Sequence, residues 1–241
     1  MTDPDDPRVG DLAESAILRV ILDSIGTAEG SDIGPGDDAA VLRAPDGRIV
    51  ATTDTLVHGP DFRLAWSSGA DLGWKAAAVN LADVAAMGAR PTGLLVALAM
   101  PADTRLSFVR DLAAGLAACC DALAPGCAVI GGDLTISSTL TIAVTALGSL
   151  EGRAPVLRSG ACVGDTVALA GSAGVAARGI DLLFSRFTDA SGPVAVDRGS
   201  LEPAELRALD AQLRPSPPIA AGAAAADAGA TPMMDVSAGL A

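Results

Sequence analysis

The run from Asp71 to Ala99 constrains the fold of this chain more than any other stretch. Asp71 to Met87 is alanine-rich with apolar residues at helical spacing, Gly88 stops it, and Pro91 follows. Gly93 to Ala99 is then a continuous apolar run, the pattern of a strand buried on both faces. A helix feeding such a strand predicts α/β packing. Half of the residues are hydrophobic but only 2% are aromatic and none is Tyr, so the core must be built from Ala, Val, Leu and Ile. Side chains that small suit helices that approach closely.

The flanking sequence extends this pattern. Residues 10 to 25 space Leu12, Ala16, Ile17, Val20 and Ile21 as a helix. Ala39 to Leu42 and Ile49 to Thr53 flank Pro45-Asp-Gly47, which predicts a hairpin. A second long helix is expected from about Asp103 to Ala124. Ala128 to Ile130 and Leu140 to Leu150 read as strands, with Gly131-Gly-Asp133 closing the first. Glu151-Gly-Arg-Ala-Pro155 has the composition of a domain boundary, dividing the chain into 1–151 and 152–241. Beyond it, Thr166 to Ala170 reads as a strand, and Gly174 to Phe187, Glu202 to Leu213 and Ile219 to Ala228 read as helices. Residues 186–200 are polar and irregular, the composition of a mobile loop, and Met234 to Ala241 alternates like a strand leading into a glycine turn.

Five aspartates sit in polar settings among these apolar segments: Asp37 and Asp38 after Gly34-Pro-Gly36, Asp54 in Thr52-Thr-Asp-Thr55, Asp83 in Asn80-Leu-Ala-Asp83, and Asp133 after two glycines. An unpaired buried charge is very costly, and 16 Lys and Arg cannot neutralise 29 Asp and Glu. A hard divalent cation such as Mg²⁺ takes carboxylate oxygens and bridges to phosphate oxygens. The set points to a metal-dependent site that handles a polyphosphate. Each member has a plainer reading beside this one. Asp37 and Asp38 fit an Asp-rich turn, Thr52 to Asp54 a hydrogen-bonded strand end, and Asp83 a salt bridge to a neighbouring Arg. Asp133, at a strand end, occupies a favoured place for ligands in α/β sheets.

Other chemistries are excluded or made improbable. A net charge of −13 argues against nucleic acid, although an acidic surface also serves solubility. Cys119, Cys120, Cys127 and Cys162 form no Cys-x-x-Cys pair and His58 is the sole histidine, so buried reduced thiols are expected rather than zinc or disulfides. The acidic N-terminus is unlike a signal peptide, and no apolar run reaches the ~18 residues of a membrane helix. A soluble, cytoplasmic protein is expected. The only lysine, Lys75, follows Gly73-Trp74, so no Walker-type loop exists, and kinase loops and Gly-x-Ser-x-Gly are absent. Phosphate chemistry must rest on metals and backbone amides, with Arg158 a candidate for screening phosphate charge.

Several motifs together resemble the thiamine-monophosphate kinase family, within the superfamily of aminoimidazole ribonucleotide synthetase. They are Gly36-Asp-Asp-Ala-Ala-Val41, Thr53-Asp-Thr-Leu-Val57, Lys75-Ala-Ala-Ala-Val-Asn-Leu-Ala-Asp-Val-Ala-Ala-Met-Gly88 and Gly131-Gly-Asp133. Arg158-Ser-Gly-Ala-x-x-Gly-Asp165 and Leu213-Arg-Pro-x-Pro217 extend the likeness past residue 151. The resemblance implies an α/β (α+β) fold: an N-terminal mixed sheet with helices, pairing with its twin through a shared β-barrel, and a C-terminal α/β domain. It implies transfer of the γ-phosphoryl of ATP to thiamine monophosphate, giving thiamine diphosphate, in a homodimer. Asp38, Thr52, Thr53, Asp54, Asp83, Asp133 and Asp235 would hold several Mg²⁺ ions. Gly132, Asp133, Arg158 and Ser237 would contact ATP, and Asp61 stands where the family often has a substrate-touching His.

Three features depart from that pattern. Ala238 takes the second Asp of the family's Asp-x-Ser-Asp-Gly-Leu, and Asp61 replaces the His. Family members also continue for roughly a third of their length again, so the C-terminal domain is expected to be incomplete, with open edges and exposed apolar faces. The alternatives are another synthetase of the superfamily acting on a purine ribonucleotide, or a dimeric remnant that binds ATP and Mg²⁺ without turnover. Selenide chemistry would need a reactive Cys near the N-terminus, and none precedes Cys119.

Overall fold

A reciprocal cap starts the central helix. The Ser68 hydroxyl accepts from the Asp71 amide, and the Asp71 carboxylate accepts from the Ser68 amide at 3.0 Å. In the computed structural model, which describes residues 6–35 and 39–236, this helix follows a short 3₁₀ turn (Val9–Asp11), one α-helix and three strands. α1 (Glu14–Leu22), β1 (Ser31–Ile33), β2 (Val41–Leu42) and β3 (Val50–Val57) precede α2 (Gly69–Ala86). Then come β4 (Arg90–Met100), α3 (Leu106–Leu123), β5 (Val129–Ile136) and β6 (Thr141–Ser149). α4 (Val175–Arg186), the short pair β7 (Thr188–Asp189) and β8 (Gly192–Pro193), α5 (Pro203–Leu213) and α6 (Ile219–Asp227) complete the chain.

The main sheet has four strands in the order β3-β6-β4-β5 and is mixed. β6 pairs antiparallel with both β3 and β4, whereas β5 runs parallel to β4. α2 and α3 cover one face, burying Leu94, Leu98, Met100, Ile142, Val144 and Ala146 against Leu72, Leu81, Val84, Leu112 and Leu116. The packing relies on small residues. A Cβ at Gly73 would overlap the Leu112 carbonyl oxygen, and one at Gly115 would overlap that of Ala70, so α2 and α3 meet backbone to backbone. The close helix approach expected from the aromatic-poor composition is therefore observed.

The C-terminal helices rest on this platform. α4 and α5 enclose a second apolar cluster of Leu182, Leu183, Phe187, Leu201, Leu209 and Leu213, into which Trp66 inserts. Both tryptophans act as polar pins: Trp66 Nε1 donates to the Phe187 carbonyl at 3.0 Å, and Trp74 Nε1 to that of Pro215 at 2.7 Å. α6 lies against α2, where a Cβ at Gly222 would strike the Ala85 carbonyl.

Several expectations are corrected. The hairpin around Pro45-Asp-Gly47 does not form. The turn exists, with Gly47 at φ +70°, but β2 pairs with β1, and β3 pairs along its whole length with β6. An eight-residue ladder outcompetes a two-residue one. Thr52 to Asp54 therefore lie inside a strand rather than at its end, and Gly131-Gly-Asp133 lies inside β5, which β4 carries on to Ile136. Residues 166–170 form no strand: among the described residues no backbone hydrogen bond reaches them, and Val167 is 96% exposed. Residues 232–236 are not a strand either, and 186–200 hold the β7–β8 pair and a short 3₁₀ turn. Cys119, Cys120 and Cys127 are buried thiols as expected, but Cys162 is exposed.

Replacing Gly73 with Val is expected to push α2 from α3 and cost about 1–3 kcal/mol, the usual penalty of overpacking. Urea unfolding with a midpoint equal to wild type would refute that contact.

Candidate functional site

α2 and β3 run in opposite directions, so the helical step from Asn80 to Asp83 faces the strand step from Asp54 back to Thr52. Asn80 is 1% exposed; its Oδ1 accepts from the Asp54 amide at 3.1 Å and its Nδ2 donates to the Ala76 carbonyl at 2.9 Å. This amide satisfies an N–H of an edge strand and fixes Asp54 against the helix. Three residues on, Asp83 Oδ2 accepts from the Thr52 hydroxyl at 2.9 Å. Sequence reasoning noted Asn80 only as part of a motif; the available signal was an amide inside an otherwise apolar helical stripe.

Asp83 is the electrostatic focus. Burial pushes its carboxyl above the ordinary range; the Thr52 hydrogen bond opposes this, the nearby Asp235 and Asp54 carboxylates reinforce it, and Arg158 opposes it. Its hydrogen-bonded partner is thus a hydroxyl, not the arginine of the plainer reading. Asp235 is itself nearly buried, its side chain 9% exposed, and Arg158 Nη2 reaches its Oδ1 at 3.2 Å. Thr52, Asp54, Asp83, Arg158 and Asp235 thus come together although 183 positions separate the first from the last.

Other expected members lie elsewhere. Thr53 points to the opposite face, donating to the Val144 carbonyl at 3.0 Å and accepting from the Thr145 hydroxyl at 3.1 Å. Asp133 aligns across the sheet with Ala97, Ala143 and Thr55. That row belongs to the face away from the helices, and β5 and β3 are opposite edges, about 14 Å apart at ordinary strand spacing. Within one chain Asp133 does not join Asp83. Gly132 needs its missing side chain, since a Cβ there would overlap the Val96 carbonyl oxygen. Asp38 and Ser237 lie outside the described residues, as does Ala238.

Asp61 forms a separate corner. Its carboxylate accepts from the Val57 amide at 2.8 Å and lines a cavity of about 50 Å³ with Arg63, Trp66, Lys75, Phe184 and Gln212. Burial lowers the Lys75 pKa, and the Asp61 charge opposes this. With its amide oriented to satisfy both ends, Gln212 accepts from Lys75 Nζ at 3.2 Å and donates to the Ala176 carbonyl at 3.3 Å.

Among the described residues, no three Asp, Glu, His or Cys side chains close on a single ion-sized point. The donors around Asp83 nevertheless fit a hard divalent cation. They are carboxylate and hydroxyl oxygens, and two of them stand close enough to disfavour the charge on Asp83. Mg²⁺ asks a protein for only one or two carboxylates, filling its other positions with water and phosphate oxygens. No described helix is long and apolar enough to cross a membrane.

Comparison with known proteins places this geometry. Residues 36–150 match the family model "AIR synthase related protein, N-terminal domain". The chain is 41% identical over 234 residues to the thiamine-monophosphate kinase of Mycobacterium tuberculosis, covering 97% of this chain and 65% of that protein. It is 42% identical over 240 residues to that of Corynebacterium glutamicum, covering 98% and 67%. A solved structure described as "AaThiL complexed with AMPPCP and TMP" superposes with a TM-score of 0.69 at 29% identity, over 95% of this chain and 67% of that one. The chain spans about two thirds of the length of these relatives. Identity of this degree over nearly all of its residues, on the same mixed α/β architecture, shows that the chain belongs to the thiamine-monophosphate kinase family.

Proposed function

We propose that the chain catalyses, or forms the nucleotide- and metal-binding part of an enzyme that catalyses, ATP-dependent phosphorylation of thiamine monophosphate to thiamine diphosphate. The observation that carries this reading is the meeting of Thr52, Asp54, Asp83, Arg158 and Asp235 where α2 and β3 face each other. The relative whose structure holds AMPPCP and TMP supports both substrates. Asp54, Asp83 and Asp235 would hold Mg²⁺, with Asp38 and Asp133 as further ligands and Ser237 and Gly132 at the nucleotide. Bound there, Mg²⁺ supplies neutralisation of the phosphate charges. The Thr52 hydroxyl orients Asp83, the Asn80 amide holds Asp54, and the Arg158 guanidinium is placed to donate to phosphate oxygens. The acceptor is already a phosphate, so positioning suffices and no strong general base is required. Asp61, beside Lys75, would face the acceptor.

The same reading takes 1–151 as the ATP- and Mg²⁺-binding, dimer-forming domain, 152–241 as part of a C-terminal α/β domain, and the cytoplasm as the location. The face of the sheet away from α2 and α3 supports pairing through a shared barrel: it presents Leu95, 38% exposed, with Thr53, Thr55 and Ala97. A second copy laid on that face would bring a partner's surface to Asp133. A second reading, binding without turnover, is favoured by Ala238 alone.

ATP consumption with thiamine monophosphate, measured beside ATP binding, separates the two readings. Asp54→Asn and Asp83→Asn are each expected to weaken Mg·ATP binding at least tenfold in calorimetry with circular dichroism unchanged; unaltered affinity in both would count against the site. Ala238→Asp alone is expected to leave turnover well below that of full-length relatives, and full turnover from that change would refute the expectation.

Asp83 also sets a pH dependence in the metal-free protein. Because its folded-state pKa is raised above 3.8, the stability it contributes is complete below that value and lost as pH climbs through the raised one. In EDTA, Asp83→Asn should melt above wild type at pH 7, the gap closing toward pH 4, and Mg²⁺ should raise the wild-type Tm more than the variant's. A variant that melts lower at pH 7 would contradict this.

A further inference from the structure

We infer that Arg158 is a built-in stand-in for the divalent cation: its guanidinium pairs with Asp235 beside Asp83, and a cation taking the same carboxylate oxygens would release it toward the nucleotide's phosphates. This rests on the metal-site reading above and adds a role for Arg158 before nucleotide arrives.

The geometry of the pair carries the inference. The Arg158 side chain is 73% exposed along its length, yet one tip nitrogen meets a carboxylate that is only 9% exposed. Of five possible donors, a single Nη2 hydrogen bond to Asp235 is made among the described residues. Arg153 takes Asp227 through two parallel bonds, Nε to Oδ1 at 2.6 Å and Nη2 to Oδ2 at 3.1 Å, the stronger bidentate form; Arg158 holds Asp235 by a single bond from an exposed stem, a contact more easily exchanged. Asp83 and Asp54 lie close by, so one guanidinium stands against three carboxylates and the group stays net negative. A cation of higher charge density competes for the same oxygens.

The ion pair is also not what holds its two segments together. Arg158 opens the short 3₁₀ turn Arg158–Gly160, and a Cβ at Gly160 would overlap the Thr231 carbonyl oxygen, so the two backbones already touch. The Thr231 hydroxyl donates to Asp165 at 2.7 Å, a second tie that does not involve Arg158. Arg158 can therefore leave Asp235 while Asp235 stays in place beside Asp83. A cation and a nucleotide would then bind in a coupled way, because Asp235 would exchange Arg158 for the cation and leave the guanidinium free to donate to phosphate oxygens.

The test is Mn²⁺ binding followed by electron paramagnetic resonance without nucleotide, in wild type and in Arg158→Ala and Arg158→Gln. Both variants are expected to bind Mn²⁺ about threefold to fivefold more tightly, the size that an ion pair with one exposed partner can carry. The same variants should bind Mg·AMPPCP at least tenfold more weakly. Opposite signs for the two ligands are the signature of a displaced counter-ion. Mn²⁺ affinity that is unchanged or weakened in both variants, with the circular dichroism of wild type, overturns the inference and leaves Arg158 as a structural tether or a simple phosphate ligand. Failure of wild type itself to bind Mn²⁺ overturns the metal-site reading instead.

Discussion

The surface of α2 decides how everything else is placed. It is buried on several sides at once, with Gly69 and Gly73 against α3, Ala85 against α6, Asn80 and Asp83 against β3, and Trp74 tied to the end of α5. Residues without bulk contribute little area each, so such a helix is held by closeness: backbones in contact gain many small dispersion terms that a gap of an ångström would forfeit. Larger side chains along α2 would lift its neighbours away, and with them the carboxylates and the arginine that gather at its far end.

That closeness lets one helix face carry two polar residues with opposite fates. Asn80 and Asp83 are one turn apart and both reach β3. The amide spends one donor and its acceptor on backbone groups, so neither of its polar atoms is left without a partner. The carboxylate receives one hydroxyl bond, is partly desolvated, and faces two further acids. The first arrangement locks a strand to a helix. The second leaves an acidic cluster that Arg158 only partly offsets, and perturbed carboxylates of this kind gather at functional sites. Asp71 shows the contrast at the other end of α2: burial pushes its carboxyl up, but bonds from Ser68 and Arg214 outweigh this and bring it below the ordinary range.

How far the sequence could be read follows from the range of each interaction. α2, α3, α4, α5 and α6 were legible because caps, glycine stops and helical spacing are local. Strand pairing is not. The turn at Pro45-Asp-Gly47 is real, yet β3 found its partner almost ninety residues later in β6, and nothing between Val50 and Val57 names Thr141–Gly148 as the better ladder. Glycines in Gly131-Gly132 read as a strand end because they favour turns; parallel pairing to β4 carried the strand through them. Residues 166–170 are apolar enough to read as a short strand but have no described partner, and composition without a partner makes no strand. In the site, Asp54 and Asp83 were visible as acids in apolar surroundings. Their link through Asn80 and Thr52 was not, because it depends on the antiparallel lie of α2 against β3.

The register of β3 carries the last consequence. Moving one position along a strand moves a side chain to the other face, so Asp54 belongs with Asp83 while Thr53 and Thr55 look away. Asp133, two strands beyond β6, falls in the row of Thr55 rather than that of Asp54. No rotamer change carries a carboxylate through a sheet. If Asp133 acts on the same polyphosphate as Asp83, the ligand must wrap an edge of the sheet, or a second surface must close over the open face and bring its own acids there. A single chain presents these two carboxylates on opposite faces of one sheet, so a reading that gives both of them one polyphosphate calls for an assembly or for a ligand long enough to pass around the edge.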